Sequence, residues 1–339
     1  MRTVFFIPPL KQMSGGLDNI YAVAACLAEL GADTALQASL TFTPGLAETV
    51  ESGTPCLPVD ARLTADDVLY IPEGWPNAMV PALDAGAKVT VYAQNWVYML
   101  GVLPQDVRWK DLPVDYLAVS RPVAAFLNDA LGVAVRDILP PRVHDDFFTA
   151  AAQGSRPAGR VRIAFMPRKN KAIADQAMET AKAKLAISPG APRVEWVCIH
   201  NAPRREVAET LASCHLFLVT GFPEGFGLPP LEAMASGCVP VGCTGFGGWE
   251  YMRQAALPGL APSLAPPPLF PLPDDGAGNG FYYADGDSLG AGLALARAAE
   301  LAFENSPGWQ ALTEQCRATA ARYDGQAQRA AIARIWTDA

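Results

Sequence analysis

Gly221-Phe222-Pro223-Glu224-Gly225-Phe226-Gly227-Leu228-Pro229-Pro230-Leu231-Glu232-Ala233-Met234-Ala235-Ser236-Gly237 follows an apolar run at 216–220 and precedes Cys238-Val239-Pro240-Val241-Gly242. The order reads as strand, glycine-bearing turn, helix, strand. Gly225 and Gly227 allow backbone amides to approach a ligand closely, and the paired prolines suit the first helical turn, where a missing N–H costs little. An anion at such a helix start meets unpaired N–H groups and the positive end of the helix dipole. Glu224 and Glu232, with seven residues between them, can border one ligand, and a carboxylate is a good acceptor for paired sugar hydroxyls.

The same alternation extends in both directions. Towards the N-terminus, strands are predicted at 161–166, 195–200 and 216–220 with helices at 172–185 and 204–214 between them. Earlier still, strands at 4–7, 68–71, 89–93, 116–120 and 135–139 and helices at 19–30 and 122–131 form a first series. Strands separated by helices of this length predict parallel, doubly wound sheets. The expected organisation is an N-terminal Rossmann-like domain over 1–150, a small polar linker at 150–159, a C-terminal Rossmann-like domain over 160–320, and a closing helix at 321–339 that crosses back to the N-terminal domain. Residues 258–273 hold seven of the chain's 30 prolines. No regular element survives that density, so a surface excursion or lid is expected.

The 339 residues are 50% hydrophobic and 18% charged, which supports a large buried core and excludes a disordered or coiled-coil chain. With 26 basic and 34 acidic side chains the formal charge is −8, which argues against a bulk basic surface for nucleic acid. Residues 1–150 carry 9 basic and 17 acidic side chains, and the remainder 17 and 17, so all the net negative charge lies in the first part. Docking to an anionic membrane is therefore not favoured. No apolar stretch approaches the ~18 residues of a membrane span, and the run before Pro8-Pro9 is too short for a signal peptide. The seven cysteines include no CxxC pair and mostly stand in apolar runs, as expected of buried thiols in a cytoplasmic protein. The three histidines, 144, 200 and 215, are not at ligand spacing, and no metal site is expected.

The 221–242 stretch resembles the E-x7-E motif of retaining glycosyltransferases of the GT-B fold, GT4 type (glycosyl transferases group 1). The resemblance recurs along most of the chain. Gly15-Gly16-Leu17-Asp18 is similar to the family's N-terminal glycine loop beside the donor phosphate. Met166-Pro167-Arg168-Lys169-Asn170-Lys171 stands where the family places an Arg and a Lys against the leaving diphosphate, and Asn279-Gly280-Phe281 is similar to its late strand. The implied fold is two Rossmann-like domains facing a central cleft, the first serving the acceptor and the second the nucleotide sugar.

The implied activity is metal-independent retaining transfer from a nucleotide-diphosphate sugar, used as donor substrate without any cofactor, to an unidentified acceptor. By that resemblance Glu232 holds the ribose, Glu224 contacts the donor sugar, and the Gly225, Phe226, Gly227 and Leu228 backbone binds the diphosphate. Gly15 and Gly16 border it, and Arg168 and Lys171 meet its charge, with Lys169 as the alternative cation. Many relatives carry a histidine where this chain has Gln94-Asn95-Trp96; Asn95 or Gln94 can donate to a sugar hydroxyl, but neither is a general base. Asp285-Gly286-Asp287 reads as a turn rather than a metal triplet, and Thr244–Glu250 as a turn offering further amides. Competing readings are another GT-B activity such as an epimerase, or a catalytically silent nucleotide-sugar-binding subunit. A dinucleotide-binding dehydrogenase lacks its G-x-G-x-x-G.

Overall fold

The computed structural model describes residues 1–38, 43–58, 60–256 and 276–337, so the proline-rich 258–273 lies outside the described residues. The chain divides into two units, Met1–Arg142 with Gln326–Ala339, and Val143–Gly325. The first division falls before the expected boundary at 150, because residues 145–153 form a helix, Asp145–Gln153, that belongs to the second unit. Residues 150–153 are its last turn, not a linker.

Unit 1 is a seven-stranded parallel sheet of β1 (Arg2–Ile7), β2 (Thr34–Ala38), β3 (Cys56–Leu57), β4 (Asp67–Pro72), β5 (Lys88–Ala93), β6 (Asp115–Ala118) and β7 (Asp137–Ile138). Its order is β3-β2-β1-β4-β5-β6-β7. β1, β4 and β5 are almost wholly buried and read as continuous apolar runs, as parallel strands covered on both faces must. The helix Gly15–Glu29 packs Leu17, Ile20, Val23, Ala24 and Leu27 inward. The terminal helix Gly325–Thr337 is part of this unit: Ile332 and Ile335 are buried, and Trp336 stacks on Tyr70 at 4.9 Å between ring centroids.

Unit 2 carries β8 (Arg160–Phe165), β9 (Arg193–Cys198), β10 (Leu216–Val219), β11 (Val239–Cys243) and β12 (Phe281–Tyr283), all parallel, in the order β12-β11-β10-β8-β9. Chain progress runs outward in one direction from β8 to β9 and in the other from β10 to β12. The order therefore reverses between β8 and β10, and helices leaving these strands diverge to open a crevice at their carboxyl ends. In unit 1 the corresponding reversal lies between β1 and β4.

Two cysteines depart from the expected burial. Cys56 and Cys198 are exposed because they sit on β3 and β9, which are edge strands of their sheets. Cys214, Cys238, Cys243 and Cys316 are buried.

Gly242 on β11 adopts φ 142°, and a Cβ there would stand 2.0 Å from the Val219 carbonyl oxygen of β10. The two strands meet more closely at this point than any side chain permits. Gly242→Ala is expected to cost unit 2 about 3 kcal/mol, seen as a lower urea midpoint for its unfolding. A midpoint equal to the wild type would contradict this packing.

Candidate active site

The crevice of unit 2 holds a cavity of about 210 Å³, lined after β8 by Met166, Arg168 and Lys169, after β9 by Ile199 to Ala202, and after β10 by Thr220, Gly221 and Glu224. Gly227, Pro229 and Pro230 close one side. Its walls divide by chemistry: Met166, Ile199, Val207, Phe217 and Met252 are apolar, whereas Arg168, Lys169, His200 and Glu224 bring charge or hydrogen-bonding capacity.

Asn170 fixes the rim. It adopts the left-handed conformation, φ 56°, and its side-chain amide donates to the carbonyls of Thr220 at 2.8 Å and Phe222 at 3.0 Å. The Thr220 hydroxyl returns a bond to the Lys169 carbonyl at 3.1 Å. The turns after β8 and β10 are thus tied together, and Lys169 Nζ meets Glu224 Oε1 at 2.7 Å. Both side chains are partly exposed, 31% and 22%, so the pair is stable without being sealed from a ligand.

Glu224 is itself held from behind. Its N–H donates to the Gly245 carbonyl at 2.8 Å and its carbonyl accepts from Gly247 at 3.0 Å. A Cβ at Gly247 would lie 2.1 Å from the Gly225 carbonyl carbon, so this approach requires glycine. The segment expected to offer free amides, 244–250, instead braces the motif loop, while Asp285 accepts from the Gly245 N–H at 3.0 Å. Asp287 caps the helix Ser288–Glu304 through the Gly290 N–H at 2.8 Å. Both acids of Asp285-Gly286-Asp287 thus have structural work, and among the described residues no group of three or more His, Cys, Asp or Glu is placed to hold a metal.

Gly227, at φ 84°, caps the helix Leu228–Ala235. Of the four N–H groups that a helix start leaves unpaired, Pro229 and Pro230 remove two, and Gly227 and Leu228 keep theirs. The Tyr251 hydroxyl donates to the Gly227 carbonyl and Phe226 packs 5.5 Å from the Tyr251 ring. Glu232 is the fifth residue of the helix and partly buried, beyond the first turn that a simple capping role would need.

The two lysines exchange the places assigned from sequence. Lys169 stands in the cavity, whereas Lys171 is exposed at the start of the helix Lys171–Ala186 and bonds Asp175 at 2.5 Å. The reason is local: Asn170 turns the chain left-handed, so the helix begins one residue after the rim and carries Lys171 onto its solvent face. Arg168 lines the cavity and is exposed. His200, in the turn after β9, was not singled out from sequence; a lone histidine at a strand end carried no signal there.

The sequence candidates of unit 1 lie at its own strand reversal. Gly15 and Gly16 are not a loop but the first turn of the helix Gly15–Glu29, capped by Ser14, whose hydroxyl accepts from Leu17 at 3.2 Å. Asn95 is 8% exposed and its side-chain oxygen accepts from Val97 at 3.2 Å, capping a short 3-10 turn. Asn95 therefore has a structural task, and Gln94 is the more accessible of the two. The residue that sequence reasoning missed is Glu73, just after β4. It is 3% exposed, and its carboxylate accepts from the Gln94 and Asn95 amides at 2.9 and 2.8 Å. Burial pushes the carboxyl up to about 7, with the backbone donors opposing it.

Residues 173–259 match the family described as Glycosyl transferases group 1. An alpha-1,6-glucosyltransferase of Actinobacillus pleuropneumoniae serotype 7 (strain AP76) is 25% identical over 223 residues, which cover 62% of this chain and 64% of that protein. The match thus spans just under two thirds of the relative's length. The glycosyltransferase structure from Rickettsia africae ESF-5 superposes with a TM-score of 0.72 at 12% identity, covering 99% of this chain and 98% of that one. The lipopolysaccharide outer core galactosyltransferase WaaB in its apo form gives 0.65 at 14% identity over the whole of both chains. The fold is that of the GT-B glycosyltransferases. The segment that carries the motif helix and its flanking strands matches the group 1 glycosyl transferases. No helix among the described residues is long and apolar enough to cross a membrane.

Glu73 makes a signed prediction about pH. Its folded pKa of about 7 lies above the ordinary 4.5, so the folded chain binds more protons and its stability contribution is lost as pH rises between those values. His215, which burial and two arginines hold down at about 4, acts with the opposite sign, losing stability as pH falls below 6.5. Glu73→Gln removes only the first effect. The melting temperature of the wild type relative to Glu73→Gln should fall from pH 4.5 to 7.5, and a constant difference would contradict the burial of an ionisable carboxylate.

Proposed function

We propose that the chain is a retaining, metal-independent glycosyltransferase of the GT4 type that moves a sugar from a nucleoside-diphosphate donor to a hydroxyl acceptor. The observation that carries this reading is the juxtaposition of Lys169, Arg168 and Glu224 with the start of the motif helix at Gly227, Pro229 and Pro230 around one cavity at the strand reversal of unit 2. The apolar wall suits a base. Glu232 accepts the ribose hydroxyls, and the helix start with Arg168 and Lys169 takes the diphosphate.

Transfer breaks the bond between the anomeric carbon and the diphosphate oxygen and forms a bond from that carbon to the acceptor oxygen. Negative charge grows on the departing diphosphate. Arg168, Lys169 and the Gly227 amide meet it after no more than side-chain rotation, and such pre-placed charge usually dominates these barriers. The acceptor proton passes to a donor phosphate oxygen, which requires no metal and no protein base. Unit 1 serves the acceptor. The related glucosyltransferase makes UDP-glucose and ADP-glucose the first donors to try, and the absence of a membrane-spanning helix among the described residues is compatible with the cytoplasm, where such donors are made.

A silent nucleotide-sugar-binding subunit is the second reading, favoured by the diversion of Asn95 to a helix cap. An assay of nucleoside diphosphate release from UDP-, ADP- and GDP-sugars, with the anomeric configuration of the product read by NMR, separates the two. Release with an α product from an α donor, undiminished in excess EDTA, is the expected result. Binding with no release would favour the silent subunit, and loss of activity on chelation would remove metal independence.

The lysines give a sharper test. Arg168→Ala and Lys169→Met should each lower kcat by roughly 10² if they meet leaving-group charge. Lys171→Met should change neither kcat nor KM by more than about twofold, because its partner is Asp175 on the solvent side. Equal losses at 169 and 171 would contradict this placement.

A further inference from the structure

We infer that Glu73 is a positioning residue for transfer, holding the Gln94-Asn95 turn and, through Gln94, the glycine-bearing first turn of the helix Gly15–Glu29. The inference rests on the proposed transferase reading for its kinetic consequence, and on geometry alone for the coupling.

The carboxylate spends its two oxygens on consecutive amides, Oε2 on the Gln94 N–H at 2.9 Å and Oε1 on the Asn95 N–H at 2.8 Å. Two bonds to adjacent peptides from one planar group leave the turn a single orientation. Among the described residues the group has no opposite charge as a partner: the interactions that act on it are burial and backbone donors. A buried carboxylate without a counter-ion is costly, and a hydrophobic residue would fill the space at lower cost. Its presence is explained if the turn it holds has to be placed accurately.

What the turn places is Gln94. Its Nε2 donates to the Gly16 carbonyl at 3.2 Å and its Oε1 accepts from Asn19 Nδ2 at 3.0 Å. Asn19 Nδ2 also donates to the Tyr92 hydroxyl at 2.8 Å, and Asn19 Oδ1 accepts from Gln328 Nε2 at 3.0 Å. The carboxyl ends of β4 and β5 and the helix that follows β1 are thereby bound into one polar network at the strand reversal of unit 1. These are the strand ends at which α/β sheets present ligands. Through Gln94, Glu73 sets the orientation of this helix start from two contacts away.

The test compares wild type with Glu73→Gln, which keeps the shape but turns one acceptor into a donor facing an N–H. Hydrogen exchange should rise at least tenfold at Gln94 and Asn95 and also at residues 17–20, while the amides of β8 to β12 stay within twofold. With UDP-glucose as donor, kcat for UDP release should fall at least tenfold, and the affinity for UDP measured by calorimetry should stay within twofold. Unchanged exchange at 17–20, or a wild-type kcat, would overturn the inference.

Should Glu73→Gln fail to fold, Gln94→Ala takes its place, since it removes only the strut to Gly16 and Asn19. It should reproduce the exchange at 17–20 and the loss of kcat with the Asn95 amide still protected, and wild-type values would overturn the inference. If the wild type itself does not turn over UDP-glucose, the transferase reading with this donor fails, while the exchange arm still decides the coupling.

Discussion

Asn170 is the point on which the site of unit 2 depends. A side-chain amide donating to two carbonyls of the turn after β10, from a residue in the turn after β8, closes the crevice that the strand order opens. A parallel sheet whose order reverses leaves two turns side by side but does not bind them, and their unpaired carbonyls would otherwise face the ligand. With Asn170 in place, Lys169 has little choice but to approach Glu224, and the helix beginning at residue 171 leaves the rim. A cation, a carboxylate and a helix start then share one cavity through backbone constraints rather than through the strength of any ion pair.

The Lys169–Glu224 pair is charge-balanced in its resting arrangement, and Arg168 leaves the cavity lining with one positive charge in excess. Lys169 and Glu224 satisfy each other at 2.7 Å, and their partial exposure leaves solvent to screen them. On the proposed reading, an arriving diphosphate offers Lys169 more negative charge than Glu224 does, and a sugar hydroxyl offers Glu224 a donor in exchange. The site needs only side-chain rotation to convert, because residues 224 and 247 are tied main chain to main chain and the Asn170 side-chain amide holds the carbonyls of 220 and 222. That economy suits a reaction in which pre-placed dipoles carry most of the work.

Both sheets and the motif helix were legible in the sequence, because fully buried parallel strands leave dense apolar runs and glycine, proline and charged residues punctuate them. β2 was not legible: Thr34-Ala35-Leu36-Gln37-Ala38 has little β-branched character and owes its strand to pairing with β1. The placement of Lys169 in the cavity and of Lys171 on the solvent face follows from one left-handed residue, which no spacing rule reveals. Asn95, like Gln94, is a candidate sugar contact because it stands where many relatives carry a histidine, but a side chain in that place can also bond the backbone two residues on, as it does here. Glu73 left no trace in the sequence, since a glutamate after a strand is ordinary until three strand ends are brought around it.

The most direct test of the account is a titration of the isotopically labelled chain with UDP and with ADP, followed by amide and lysine-side-chain NMR. The account predicts that at least one of these nucleotides shifts the Gly227 and Leu228 amides and the Lys169 ammonium, leaving Lys171 unmoved. Saturable shifts confined to other surfaces, with residues 169, 227 and 228 unaffected, would contradict it.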